Sequence, residues 1–168
     1  MKQAPLTYYE DVAIGASWET PAITVTESQI GIFAGLTGDF ADLHVDEQFA
    51  RNMGFSGRVA HGILGLGLLD GLKNRSGVHF AVVAALSWSW RFTAPLYIGD
   101  RLRARLTIDE KRLTRRGDRG IVTLGIVGLK QDDTIVQRGQ NQLLVMCRGL
   151  VLGPHDSTAN EKAIRSGT

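Results

Sequence analysis

The chain has one cysteine in 168 residues, Cys147, so no internal disulfide can form and a disulfide-stapled miniprotein is excluded. Its setting, Leu144-Val145-Met146-Cys147-Arg148, reads as the end of a strand and not as an electropositive reactive site, so a catalytic thiol is not expected. No run approaches the roughly 18 consecutive apolar residues of a membrane span, and Met1 to Glu10 contain no apolar signal-peptide core. A cytoplasmic protein without a membrane partner is the expectation. Charge of one sign is also lacking: 19 Lys and Arg against 17 Asp and Glu leave a net +2. With no interleaving of basic and aromatic residues, nucleic-acid binding is not expected, and Trp88 and Trp90 are assigned to the core. Neither a His-x-x-x-His nor a Cys-x-x-Cys pair occurs, so Asp39, His44, Asp46 and His61 match no established zinc spacing and no metal is expected. A Gly-x-Ser-x-Gly nucleophile elbow is absent as well.

What is present is an ordinary globular balance, 43% apolar and 21% charged, in a length that suits one domain of ~100–200 residues. Residues 1–153 are expected to form it, with 154–168 as a polar tail. Glycine is the compositional exception: 20 residues, 10 of them between Gly31 and Gly77. Because glycine costs about 0.5–1 kcal/mol in a helix or strand relative to alanine, such a cluster marks tight turns or close backbone approach.

The first half carries helix signals and the second half strand signals, which predicts one α+β domain. Thr26 and Gln29 have capping-box spacing ahead of Ile30, Phe33 and Ala34, predicting a short helix over 27–36 stopped by Gly35 and Gly38. A loop follows from Thr37 to Val45, and Asp46 can cap a second short helix closed by Gly54. From His61 to Lys73 the chain is apolar on nearly every side, which predicts a buried helix; a pair of buried strands is the rival local reading. Leu86, Trp88, Trp90 and Phe92 then alternate with polar residues, as do Leu102, Ala104 and Leu106 with Arg101, Arg103 and Arg105. Further strands are expected around Ile121 to Leu124 and Gln142 to Met146, joined as antiparallel neighbours by turns at Arg116-Gly117-Asp118 and Gln131-Asp132-Asp133.

Proton-transfer groups concentrate in Asp39, Asp42, His44 and Asp46, within eight residues of glycine-flanked loop. General acid–base chemistry needs an imidazole or carboxylate held by a rigid scaffold, and Asp39 and His44, at the helix-to-loop junction, fit that need best. Asp42 and Asp46 read as turn and cap residues. At His61-Gly62 the long helix begins, where unpaired N–H groups at the positive end of the dipole could stabilise a developing oxyanion. Lys111, Arg112, Arg115, Arg116 and Arg119 surround the turn at Gly117 and are expected to form a solvated face; a phosphate contact, aided by Arg101, Arg103 and Arg105, is the lesser reading.

Taken together, Phe33-Ala34-Gly35-Leu36-Thr37-Gly38-Asp39, Leu43-His44-Val45-Asp46 and Val59-Ala60-His61-Gly62 resemble the MaoC-like, or R-specific enoyl-CoA hydratase, family over about residues 8–148. The run from Trp88 to Asp100 is similar to the family's strand and turn after the helix. The family signature commonly reads Gly-Asp-x-Asn-Pro-x-His; here Ala41 and Asp42 stand in the Asn and Pro positions. The resemblance implies a hot-dog fold, an antiparallel sheet wrapped around a long central helix, assembled as a homodimer or higher oligomer. It also implies reversible hydration of an enoyl-CoA thioester to a 3-hydroxyacyl-CoA, with Asp39 and His44 as the catalytic pair and the Gly62 N–H holding the thioester oxygen. No cofactor is implied, since CoA is part of the substrate. A hot-dog thioesterase and a non-catalytic acyl-CoA-binding module are the alternatives.

Overall fold

The computed structural model describes residues 5–149, and the expected tail over 154–168 lies outside them. In chain order the elements are β1 (Leu6–Thr7), a 3-10 turn (Tyr9–Asp11), β2 (Ser17–Glu19), β3 (Ile23–Thr24), α1 (Glu27–Thr37), α2 (Asp42–Val45), α3 (Glu47–Asn52), α4 (Gly62–Lys73), β4 (His79–Phe80), β5 (Val82–Phe92), β6 (Arg101–Leu113), β7 (Arg119–Leu129) and β8 (Ile135–Met146). The antiparallel sheet has the order β2-β6-β7-β8-β5, with β3 also pairing to β6; β1 and β4 form a separate parallel pair. Sheet and central helix make the hot-dog arrangement that the resemblance implies, in an α+β chain. Among the described residues no helix is long and apolar enough to cross a membrane.

Alternation builds the sheet. On β6, Leu102, Ala104, Leu106 and Ile108 are buried while Arg101, Arg105 and Asp109 face solvent. Central β7 is buried on nearly every residue because both of its faces are covered. At one end of the strand, Gly120 lets the Tyr9 ring lie on it: a Cβ there would come within 1.9 Å of that ring. On the inner face the helix comes so close that a Cβ at Gly128 would sit 2.7 Å from Leu69 Cδ1. Leu69 and Leu72 of α4 are fully buried with Leu102, Leu124 and Ile126 of the sheet. Removing such side chains from water, at about 25 cal/mol per Å² of apolar surface, is what drives the sheet to wrap the helix.

α1 has the expected capping box and ends at Gly38, whose φ of 78° is open to glycine at little steric cost; it runs through Gly35 to Thr37, one residue past 36. Two expectations need correction. The expected loop from Thr37 to Val45 contains the one-turn helix α2. Finally, α4 is not buried all round: Ile63, Gly67 and Gly71, four residues apart, form a stripe that the other described residues leave exposed.

The basic residues also divide. Arg112, Arg115 and Arg116 are exposed, in keeping with a solvated face. Lys111 instead donates from Nζ to the Val12 carbonyl at 2.6 Å, and Arg119 is only 3% exposed. Arg103 and Arg105 both bind the Glu19 carboxylate, and Arg103 also pairs with Asp133, so these two serve strand pairing. Trp88 and Trp90 meet edge to face at 5.6 Å and pack against the core, as assigned. Burial, with the charge of Glu10, pushes the Cys147 thiol up, which suits a structural cysteine.

Candidate active site

The segment from α1 to the start of α3 is held at each end by its own side chains. Thr26 and Gln29 close the capping box of α1, and Asp46 accepts from the Phe49 N–H at 2.9 Å at the start of α3. Between them, Gly38 turns the chain and Asp39 Oδ1 accepts from the Ala41 N–H at 3.3 Å, forming a local Asx turn. Asp42 opens α2, where an acidic side chain suits the helix dipole as a proline would suit the backbone. That turn of helix points His44 back toward the chain at Val59.

His44 Nδ1 lies 2.6 Å from the Val59 carbonyl. A carbonyl only accepts, so Nδ1 carries the hydrogen and, in the neutral ring, Nε2 holds a free lone pair. His61 Nε2 lies 2.9 Å from the Asp39 carbonyl and therefore donates to it, which ties the Asp39 loop to the start of α4. The two imidazoles stack at 3.8 Å between centroids, and Phe33 packs on His61 at 4.8 Å. His61 is 2% exposed, and its Nδ1 has no hydrogen-bond partner among the described residues. The Asp39 side chain is half exposed. Ligand-type atoms of Asp39, His44 and His61 all lie within 4.8 Å of one another, so among the described residues these three could hold a metal ion. With one nitrogen of each ring committed to a backbone carbonyl, the same group is well placed to take and return a proton.

Beside this group lies a cavity of about 460 Å³. His44, Gly62, Thr93 and Gln137 supply its polar lining, and Phe55, Ile63, Phe92 and Leu96 are among the apolar residues around them. The first helical hydrogen bond of α4 runs from the Gly65 N–H to the His61 carbonyl at 3.1 Å, so the N–H groups of Gly62, Ile63 and Leu64 have no acceptor within the helix. Unlike Thr26 in α1, the N-cap residue His61 makes no side-chain cap. The N-terminus of α4 is thus open at a residue that lines the cavity. A side chain at 62 would press on the cavity wall, since a Cβ there would lie 2.8 Å from Phe92 Cε1.

Of the residues singled out from sequence, Asp39 and His44 come together, and His44 and Gly62 share the cavity. Asp46 stays apart as a cap. Two residues were not assigned their place by sequence reasoning: His61 as the link between Asp39 and α4, and Gln137 in the cavity wall. The His61-Gly62 pair was a usable signal for the first; an isolated Gln in a strand gave none for the second.

The MaoC-like domain family matches residues 11–128. The (R)-specific enoyl-CoA hydratase of Rhodospirillum rubrum is 36% identical over 105 residues, covering 61% of this chain and 70% of that protein. The 3-hydroxybutyryl-CoA dehydratase of Methylorubrum extorquens is 30% identical over 161 residues, covering 95% and 92%. Among solved structures, the MaoC-like dehydratase from Rhodospirillum rubrum superposes with a TM-score of 0.78 at 28% identity, covering 86% of this chain and 99% of that one. A family match across most of the chain, together with a relative aligned over nearly all of it, makes this protein a member of the MaoC-like domain family.

Proposed function

We propose that the protein is a hydratase/dehydratase, a carbon–oxygen lyase that reversibly adds water to a trans-2-enoyl-CoA thioester to give a 3-hydroxyacyl-CoA. The observation that carries this reading is the placing of His44 and Gly62 on one cavity, with Asp39 beside His44. The two relatives whose names specify hydration or dehydration of CoA thioesters support the same chemistry.

In the hydration direction, Asp39 and the free Nε2 of His44 hold a water molecule and take its proton as the oxygen adds to C3. The C2=C3 electron pair shifts toward the thioester, whose oxygen becomes negative and is met by the Gly62 N–H at the positive end of α4. The protonated pair then returns its proton to C2, which restores the thioester. No redox group or metal is needed in this scheme, because the thioester carbonyl itself acidifies C2. The apolar lining suits an acyl chain, and Ala41 supplies only its backbone N–H to the Asp39 turn, so the water is held here without a side-chain amide from that position.

A second copy of the chain is part of the proposal. The outer edge of the 11-residue strand β5 pairs with no other described strand, and Ile63 is 57% exposed beside the cavity. Burying both in a homodimer removes an edge open to aggregation. Purified protein incubated with trans-2-enoyl-CoA should lose enoyl-thioester absorbance without releasing thiol. Thiol release would instead make it a thioesterase, and saturable acyl-CoA binding with no product would make it a binding module.

A further inference from the structure

Gln137 is a buried polar residue on β8, 3% exposed, on the strand face it shares with the buried Asn141, Leu143 and Val145. Its amide is fully directed. Nε2 donates to the Gly62 carbonyl at 3.0 Å, and Oε1 accepts from Trp90 Nε1 at 3.1 Å. Since the indole only donates and the carbonyl only accepts, the amide cannot be turned over without losing both bonds. Gly65 lets the strut pass: a Cβ there would lie 2.2 Å from Gln137 Nε2. Four residues from three elements therefore meet at the first turn of α4, and Gln137 lines the cavity at that point.

We propose that Gln137, held by Trp90 and admitted by Gly65, is a positioning residue that fixes the Gly62 backbone as the thioester-oxygen donor. The inference rests on the hydratase reading of Gly62. Its physical basis is that glycine is the least restrained residue, here at an uncapped helix end where catalysis needs a donor fixed before the charge develops. A hydrogen bond to the Gly62 carbonyl restrains the rotation that links the two peptide units flanking Gly62. By polarising the second of those units, it also strengthens the Ile63 N–H as a donor.

The test compares wild type with Gln137→Met, which keeps side-chain length and removes the donor, and with Gly65→Ala, which keeps Gln137 but drives its amide away. Turnover of trans-2-enoyl-CoA is measured with the infrared carbonyl band of a bound, carbon-13-labelled saturated acyl-CoA. Both variants should lose about tenfold or more in kcat with KM changed less than about threefold, and the bound carbonyl band should move back toward its frequency in water. Trp90→Phe, which leaves Gln137 without its anchor, should give a smaller shift of the same kind and serves if Gln137→Met does not fold. Wild-type kcat and an unshifted band in variants that merely melt earlier would overturn the inference and leave the hydratase reading standing. Absence of hydration by wild type would overturn both.

Discussion

At the scale of single residues, the site depends on which nitrogen of each imidazole is committed. The Val59 carbonyl fixes the hydrogen of His44 on Nδ1 and so leaves Nε2 for chemistry, while His61 uses its own Nε2 to hold the Asp39 backbone. Gly62 is bound by a different limit, space. Gly62→Ala should lower kcat/KM at least about tenfold, because the added methyl displaces the Phe92 ring at the cavity wall, with little loss of stability since that ring is half exposed and can swing away. Pairing it with Phe92→Leu should recover part of the lost activity, as steady-state kinetics on the two variants would show; an active, wild-type-like Gly62→Ala would contradict the close packing. The closeness of Asp39 and His44 was legible because their spacing is local, and the place of Gly62 because it opens the long apolar run of α4. Gln137 was not: it lies 75 residues from Gly62 in the chain, and its neighbours read as plain strand.

Among the elements, the long strands were legible from their two-residue period, and α1 from its capping box. The four-residue α2 and the two-residue β1 and β4 were not, since one turn of helix or a single long-range parallel pair leaves no periodic trace. Exposure of Ile63, Gly67 and Gly71 on α4 leaves no mark in the pattern for a related reason: glycine and isoleucine raise apolarity whether or not a neighbour covers them. The β5–β8 pairing offers a direct test of how tightly the strands are fitted. A Cβ at Gly139 would stand 2.0 Å from the Ser89 carbonyl oxygen, which is backbone and cannot swing away. Gly139→Ala should therefore destabilise the fold by about 1–3 kcal/mol or more, measured by urea denaturation. A neutral effect would show that this pairing can open to admit a methyl.

For the whole molecule, the α+β order was legible from the change of period between the two halves, whereas the cavity needed the chain to fold before Phe55, Phe92 and Leu96 could meet. Its acid limit is set partly by Asp100. Burial pushes that carboxyl up, but Lys130 at 2.7 Å, the Tyr97 N–H and Gln131 together hold it below the ordinary carboxylate range. A carboxyl lowered in the folded state stabilises above its unfolded pKa, and the benefit disappears as pH falls through the lower folded value. Asp100→Asn should cost about 1–3 kcal/mol at neutral pH, with the gap from wild type narrowing in acid, as melting curves across pH would reveal; a gap independent of pH would contradict it. The proposed homodimer should run at twice the 18.3 kDa chain mass in light scattering, and a monomer would contradict it. The central claim is tested most directly by one hydration time course with trans-2-butenoyl-CoA, run on wild type, Asp39→Asn and His44→Ala with their melting temperatures checked. Loss of the enoyl absorbance by wild type, slowed about 10²–10⁴-fold in both variants while they stay folded, is the expected result; undiminished hydration by either variant would contradict the assigned pair.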